Sequence, residues 1–401
     1  PNLVFVIVEG LGHAYSSLNG YVGNFTPFID SLAHKSLYWE NNLSSSGRTF
    51  GVLPTITGSL PFGKNGFLEI EKTPDHFNLY NILKSNGFET GFFYGGNSSF
   101  DRTKEFLQYS KVDHIIDQFS YEAPYQKLPA SVGGESWGYE DQAVFGKMLQ
   151  VQKPISKPYF DIILTLSTHN PFLINNTAYY EKMFTQRVNS NQISKDQKKW
   201  ALENKKQLVS VLNMDDALKD FFKSYENRPD FDNTIFVITG DHSMPEITLQ
   251  TKIDRYRVPL LVYSPLLKEP KHFTNIVSHF DVAPSILAYY RSNYNISTPS
   301  TVSWIGRGLS DNIRTDHLRI PLMQSKNQLI DFGYGKYHVQ NNQLLILNNM
   351  QEEVIIDDKI FKKANESFKQ FKNMNSQFYN TNKLIPDSVF VNFMKKTQPK
   401  F

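Results

Sequence analysis

The chain has no cysteine. That excludes disulfides, thiolate metal sites and a cysteine nucleophile, while leaving the compartment open. An excess of one charge is also missing. The 42 basic residues face 39 acidic ones, so there is no general electrostatic case for nucleic acid as a partner. No apolar run approaches the ~20 residues that span a bilayer, and no signal peptide is evident. Repeats and long low-complexity tracts are absent too. The sequence opens Pro1-Asn2 directly before an apolar run, without an initiator Met, and reads as a piece of a longer protein cut at a domain boundary. What remains is length and aromatic content. A chain of 401 residues can bury a large core and suggests one large domain with an appendage, or two domains. The 31 Phe and 21 Tyr are dispersed, as core residues are.

The most informative stretch is Thr234-Ile-Phe-Val-Ile-Thr-Gly-Asp-His-Ser243. Thr234 to Thr239 are all β-branched or aromatic, the pattern of a strand buried on both faces of a parallel sheet. The run stops at Gly240-Asp241-His242. A carboxylate and an imidazole at the carboxyl end of such a strand are ligand-type residues where open α/β sheets place their sites. A turn with a capping Asp and a surface His is the bland alternative.

Other segments follow the same plan. Leu3 to Val8 reads as a buried strand ending at Glu9-Gly10, and a carboxylate there is costly to bury unless paired or on a metal. Thr26-Pro27 reads as N-cap and first residue of a helix whose apolar face holds Phe28, Leu32 and Ala33. Ser44 to Pro54 is small, polar and punctuated by glycine. It suits a sharp turn into a helix with free N–H groups for an anion, Arg48 as a planar donor and Thr49 as a hydroxyl. Asn78 to Asn86 has helical spacing and stops at Gly87. Phe88 to Tyr94 reads as a strand running into Gly95-Gly96-Asn97, with Arg102 shortly after. Residues 110–158 read as irregular, with Trp137 to Asp141 opening a helix. Phe160 to Ser167 reads as a strand before Thr168-His169. Residues 195–224 read as one long Lys-rich helix, and Arg257 to Ser264 as a further strand. His279, Asp281 and Pro284 lead into another helix. Beyond about residue 315, Gln328 to Phe332, Tyr337 to Gln340 and Gln343 to Leu347 read as short strands joined by Gly- and Asn-containing hairpin turns. Asp358 to Tyr379 reads as a helix.

The expected fold is α/β: a mostly parallel central sheet flanked by helices, with a small C-terminal antiparallel sheet. The expected division is residues 1–315 and residues 316–401. In a parallel sheet, strands ending in Glu9, Gly95 to Asn97, His169 and Asp241-His242 bring these residues to one edge. Two carboxylates, an imidazole and a hydroxyl make an oxygen-rich site suited to Mn²⁺, Zn²⁺ or Mg²⁺. A Thr hydroxyl in such a site has the chemistry of a nucleophile.

The order Val8-Glu9, Thr26-Pro27-Phe28, Gly47-Arg48-Thr49, Thr168-His169-Asn170-Pro171-Phe172, Gly240-Asp241-His242 and Val258-Pro259-Leu260 resembles the lipoteichoic acid synthase and phosphoglycerol transferase family, within the alkaline phosphatase and sulfatase superfamily. The resemblance covers most of residues 1–310, and its motifs are specific as an ordered set. It implies an extracytoplasmic catalytic domain tethered by membrane helices that this chain does not contain. It implies one Mn²⁺-type ion on Glu9, Thr49, Asp241 and His242, and Thr49 as nucleophile. It places His169 and Arg102 at substrate-site positions. His169, at a neighbouring strand end, is expected to act as catalytic acid and base, and Arg48 and Asn97 are expected to bind substrate. An anionic, phosphatidylglycerol-like lipid would be the donor, and an envelope glycan or polymer the acceptor. Two departures stand out. Arg48 replaces the usual Lys before the nucleophile, and Val8-Glu9-Gly10-Leu11 lacks the paired Asp residues of two-metal members. The loop before Arg102 is also short and lacks the family's Trp. A true sulfatase needs Cys or Ser in a Cys/Ser-x-Pro-x-Arg motif, and neither residue stands in that pattern here. A phosphoethanolamine transferase shares the Thr nucleophile but brings more His ligands. A non-catalytic lipid-binding sensor that kept the fold is the alternative of another class.

Overall fold

The computed structural model describes residues 1–16, 19–154, 157–309 and 318–396. Eight strands form the central sheet: β1 (Asn2–Val8), β2 (Leu37–Leu43), β3 (Glu89–Tyr94), β4 (His114–Ile116), β5 (Tyr159–Leu164), β6 (Thr234–Gly240), β7 (Arg257–Tyr263) and β8 (Lys271–Ser278). Their order across the sheet is β4-β3-β5-β1-β6-β7-β2-β8. From β4 to β6 every pairing is parallel. Strand β7 runs antiparallel to both β6 and β2, and β8 is parallel to β2.

Both faces of this sheet are covered, which explains the unbroken apolar runs of β1 and β6. Val4, Val6 and Val8 point into a core shared with Leu208, Val211, Leu212 and Leu218. Leu3, Phe5 and Ile7 point into the opposite core, with Ile56, Leu79, Ile82 and Ile286. The expected single helix over 195–224 is two helices, Lys195–Glu203 and Lys205–Tyr225, broken at Asn204. The helix Pro27–Ala33 forms as expected, but its cap does not come from Thr26. The Thr26 side chain makes no cap bond, and the carboxylate of Asp215 accepts the N–H groups of Phe28 and Ile29 at 2.8 and 3.0 Å. The helix Leu79–Ser85 ends as expected. Gly87 takes φ 87°, and the N–H groups of Gly87 and Phe88 close onto the carbonyls of Lys84 and Leu83.

A second sheet of five antiparallel strands follows: β9 (Arg319–Met323), β10 (Leu329–Tyr334), β11 (Tyr337–Gln340), β12 (Gln343–Asn348) and β13 (Gln351–Ile355). Its two-residue loops explain its punctuation. Gly335 has φ 61°, and Asn341 and Asn342 have φ 46° and 59°, the left-handed values a tight hairpin needs. One face packs on the body through Leu43, Phe50, Tyr256, Ile320 and Leu322. The other is covered by Ala364 and Phe368 of the helix Asp358–Thr381. The division expected between residues 315 and 316 lies outside the described residues.

One buried carboxyl in the central sheet is expected to lower stability as pH rises. Asp161 on β5 is fully buried, and neither carboxylate oxygen has a hydrogen-bond partner among the described residues. Burial pushes its carboxyl well above the usual carboxylate range. A raised carboxyl binds its proton more tightly in the folded state. Its cost is therefore absent below the unfolded pKa near ~4 and grows as pH rises towards the folded value. Asp161→Asn is expected to remove this slope and to raise stability near pH 8 by about 1–2 kcal/mol. Thermal denaturation of both forms at about pH 5 and about pH 8 checks this.

Candidate active site

Val8 of β1 pairs with Gly240 of β6, so Glu9 and Asp241 leave adjacent strands side by side. The chain is locked at this point. Asp241 Oδ1 accepts the N–H groups of Gly10 and His242, each at 2.8 Å. Gly10 sits at φ 63°, and a Cβ there would lie 2.9 Å from Met244 Cγ. Only glycine lets β1 turn so sharply against its neighbour. Glu9 is held from β5: its N–H donates to Thr165 Oγ1 at 3.0 Å, and its carbonyl accepts Thr168 Oγ1 at 2.5 Å. The strand β5 ends at Leu164, earlier than expected, and the freed Thr165 and Thr168 serve this purpose.

Thr49 arrives from β2. Three buried serines shape its turn. Ser44 Oγ donates to the Ser46 carbonyl at 2.8 Å, Ser46 Oγ to the Arg48 carbonyl at 2.6 Å, and Ser45 Oγ lies 2.6 Å from Thr55 Oγ1. Thr49 then starts a short 3₁₀ turn that runs into the helix Val52–Gly58. Close approach requires Gly51, where a Cβ would stand 2.4 Å from Ser46 Oγ.

These elements bring Glu9, Thr49, Asp241 and His242 together. Thr49 Oγ1 donates to Glu9 Oε2 at 2.9 Å and lies 3.3 Å from His242 Nε2. His242 Nε2 is 3.5 Å from Glu9 Oε1 and 3.4 Å from Asp241 Oδ2. The other ring nitrogen, Nδ1, lies 2.9 Å from the Ser243 carbonyl oxygen. That contact assigns the proton to Nδ1 and leaves a lone pair on Nε2. Glu9, Asp241 and His242 are buried, while Thr49 is partly exposed.

The arrangement fits a cation. Asp241 Oδ2 is buried and accepts no hydrogen bond among the described residues. Ligand atoms of Glu9, Asp241 and His242 all lie within 4.8 Å of one another. Burial, and then the charge of Asp241, push the Glu9 carboxyl well above its ordinary range. Converging unpaired acceptors are costly in a dry site. A divalent ion relieves that cost, and two carboxylates, one imidazole and a hydroxyl are a donor set that Zn²⁺, Mn²⁺ or Mg²⁺ accepts. The Nδ1–H bond to a carbonyl is the orientation a ligating histidine needs.

The remaining expected residues make no hydrogen bond to this cluster among the described residues. His169 follows Thr168 directly; its Nδ1 lies 2.7 Å from the Asn170 carbonyl oxygen, and Trp137 packs on its ring at 4.4 Å. Arg48 is exposed beside Thr49. Asn97 Oδ1 accepts the N–H of Ser99 at 2.9 Å. The guanidinium of Arg102 donates to the carbonyls of Ile70 and Glu71 at 3.0 and 3.4 Å. Arg102 thus braces a neighbouring loop. Sequence reading missed Thr165, Thr168 and Tyr15. Tyr15 hydroxyl donates to the Gly10 carbonyl at 2.5 Å and accepts the Met244 N–H at 2.9 Å. The run of hydroxyls before His169 was a usable signal for the two threonines; for Tyr15 there was none.

Comparison with known proteins gives the family and the fold. The family model described as Sulfatase matches residues 1–291. The chain is 22% identical over 306 residues to the lipoteichoic acid synthase-like protein YvgJ of Bacillus subtilis (strain 168), covering 71% of this chain and 46% of that protein. It is 24% identical over 285 residues to lipoteichoic acid synthase 1 of the same strain, covering 65% and 41%. The chain therefore spans less than half the length of these curated relatives. Among solved structures, a protein in the alkaline phosphatase superfamily from Vibrio parahaemolyticus superposes with a TM-score of 0.72 at 19% identity, covering 96% of this chain and 88% of that one. The lipoteichoic acid synthase LtaP from Listeria monocytogenes gives 0.72 at 16% identity, covering 96% and 93%. The fold is thus alkaline phosphatase-like. With a family model matched along most of its length, the chain belongs to the sulfatase family.

Proposed function

We propose that this chain is the catalytic domain of a metal-dependent phosphoglycerol transferase. It takes a phosphoglycerol unit from an anionic, phosphatidylglycerol-like lipid and passes it to an envelope glycan or polymer through a phospho-Thr49 intermediate. An extracytoplasmic, membrane-tethered setting goes with that reaction. Among the described residues no helix is long and apolar enough to cross a membrane. The observation that carries the reading is the Thr49 hydroxyl. It is the partly exposed member of an otherwise buried cluster, and it donates to Glu9 at 2.9 Å. Two curated relatives bear lipoteichoic acid synthase names, which supports the substrate class.

Glu9, Thr49, Asp241 and His242 would hold one divalent ion, Mn²⁺ or else Zn²⁺ or Mg²⁺, which when bound lowers the hydroxyl pKa and offsets phosphate charge. The chain's own residues do the rest. Thr49 Oγ1 gives its proton to Glu9 Oε2, which accepts its hydrogen bond at 2.9 Å, and attacks phosphorus, and the bond to the lipid alkoxide breaks. Arg48, exposed beside Thr49, meets the non-bridging oxygens. His169 protonates the departing lipid alkoxide, which leaves as the free hydroxyl. In the second step His169 takes the proton of the acceptor hydroxyl, which attacks phospho-Thr49, and the departing Thr49 oxygen regains its proton from Glu9. His169→Gln is expected to lower kcat by about 10²–10³-fold with little change in KM.

The test is incubation with fluorescent phosphatidylglycerol and with other headgroup lipids, with and without Mn²⁺, followed by lipid analysis. Diacylglycerol release from phosphatidylglycerol alone supports the reading. Consumption of phosphatidylethanolamine alone points instead to a phosphoethanolamine transferase. Release of free glycerophosphate with no acceptor modified points to a hydrolase.

A further inference from the structure

The five-stranded sheet touches the reactive turn directly. Met323, the last residue of β9, donates its N–H to the Ser45 carbonyl at 3.1 Å and accepts the Gly47 N–H at 3.0 Å. These are main-chain groups just ahead of Thr49. The opposite flank is held by the loop Lys252–Tyr256. The Tyr256 carbonyl accepts the Ser44 N–H at 2.6 Å, and the Arg255 carbonyl accepts the N–H of Ser243, next to His242, at 3.1 Å.

That loop is itself fastened to the second sheet through charge. Tyr256 hydroxyl donates to Asp331 Oδ2 at 2.5 Å, and the Lys252 N–H donates to Glu352 Oε2 at 2.6 Å. His338 lies between the two carboxylates and is fully buried. Its Nδ1 is 2.5 Å from Glu352 Oε1, and its Nε2 is 3.2 Å from Asp331 Oδ1. With both ring nitrogens on carboxylates, the ring is an imidazolium. Burial acts against that charge, but the two carboxylates outweigh it. A buried charge cluster adds little stability beyond what apolar residues would give, but it can fix one geometry. Here it joins β10, β11 and β13 to the loop that holds both Ser44 and Ser243.

We propose that the five-stranded sheet is a working part of the active site: Met323 and the Asp331–His338–Glu352 cluster position the Thr49 turn and His242. The inference rests on the reading of the Thr49 turn as the reactive centre. The residues named are positioning residues; none touches the reacting atoms.

Two variants of the intact chain test it. Tyr256→Phe deletes one hydroxyl and keeps the ring in its apolar seam with Leu43, Ile253 and Leu322. His338→Gln removes the imidazolium. Amide hydrogen exchange is followed in residues 44–49 and, as a reference, in β6, and Zn²⁺ affinity is followed by calorimetry. Exchange in residues 44–49 is expected to rise about tenfold and zinc affinity to fall about tenfold, while β6 stays at its wild-type rate. A purely structural role would raise exchange in both segments together, and that result overturns the proposal. Wild-type exchange in residues 44–49 of Tyr256→Phe overturns it as well, whether or not His338→Gln folds. Neither readout needs turnover, so a lack of phosphoglycerol transfer would count against the proposed function and not against this inference.

Discussion

Thr49→Ala is expected to lower turnover by roughly three to six orders of magnitude, at least about 4 kcal/mol of transition-state stabilisation. The size follows from what the hydroxyl does. If Thr49 forms the bond to phosphorus, its removal abolishes the two-step route and leaves only slow attack by water. A serine at this position keeps the oxygen and loses a methyl group, so Thr49→Ser should retain part of the activity. The fold should not suffer. Thr49 is partly exposed, and the turn is shaped by Ser44, Ser45 and Ser46 rather than by Thr49 itself.

Intact-mass analysis separates this mechanism from its competitors. Brief exposure to the lipid donor, with acceptor withheld, should leave a glycerophosphate adduct on the wild type and none on Thr49→Ala. Peptide mapping should place the adduct on Thr49. The neighbouring hydroxyls are poorer candidates for physical reasons. Ser46 is buried and donates to the Arg48 carbonyl, while Ser59 is buried and accepts the Gly306 N–H at 2.7 Å. An adduct on either would mean the nucleophile is misassigned. Turnover without any adduct would replace the two-step route by direct transfer or by attack of water.

The parts of the molecule that could be read from sequence are those where one physical demand dominates. Strands β1 and β6 are buried on both faces, so their apolar runs are unbroken and their polar ends stand out. The hairpins of the second sheet were legible because Gly335, Asn341 and Asn342 sit at left-handed backbone angles. Strand β2 was not legible, because Glu40, Asn41 and Asn42 interrupt its pattern. Their polarity is absorbed by partners far along the chain: Glu40 by Arg257 and His272, and Asn41 by the Thr274 carbonyl. Strand β7 itself was legible, but its antiparallel direction was beyond a periodicity argument. At the site, Glu9, Asp241 and His242 could be found because each ends a buried strand. Arg102 was named from a local match; its guanidinium donates to two loop carbonyls that no spacing rule connects to it.

Asp241→Asn is expected to abolish high-affinity metal binding, and with it activity, while the chain stays folded. Asp241 has two separate duties. Its Oδ1 accepts the N–H groups of Gly10 and His242, which an Asn oxygen can also do. Its Oδ2 faces the cluster, and in the variant an N–H₂ group would stand there, donating where a cation needs a lone pair. The variant should therefore keep the turn between β1 and β6 and lose the ligand. The wild type carries a further signature of the same site. Burial and Asp241 hold the Glu9 carboxyl well above its ordinary range, so below that raised value Glu9 keeps its proton in the metal-free chain. Binding a divalent ion must expel that proton, and affinity should weaken as pH falls through the raised value. Titration calorimetry with Mn²⁺ or Zn²⁺ in buffers of different ionisation enthalpy reads both effects. Wild type should release protons on binding, and Asp241→Asn should give no binding heat while its thermal transition is kept. Full metal occupancy in Asp241→Asn would remove Asp241 from the ligand set. Proton-neutral binding to the wild type at a pH where Glu9 is protonated would remove Glu9.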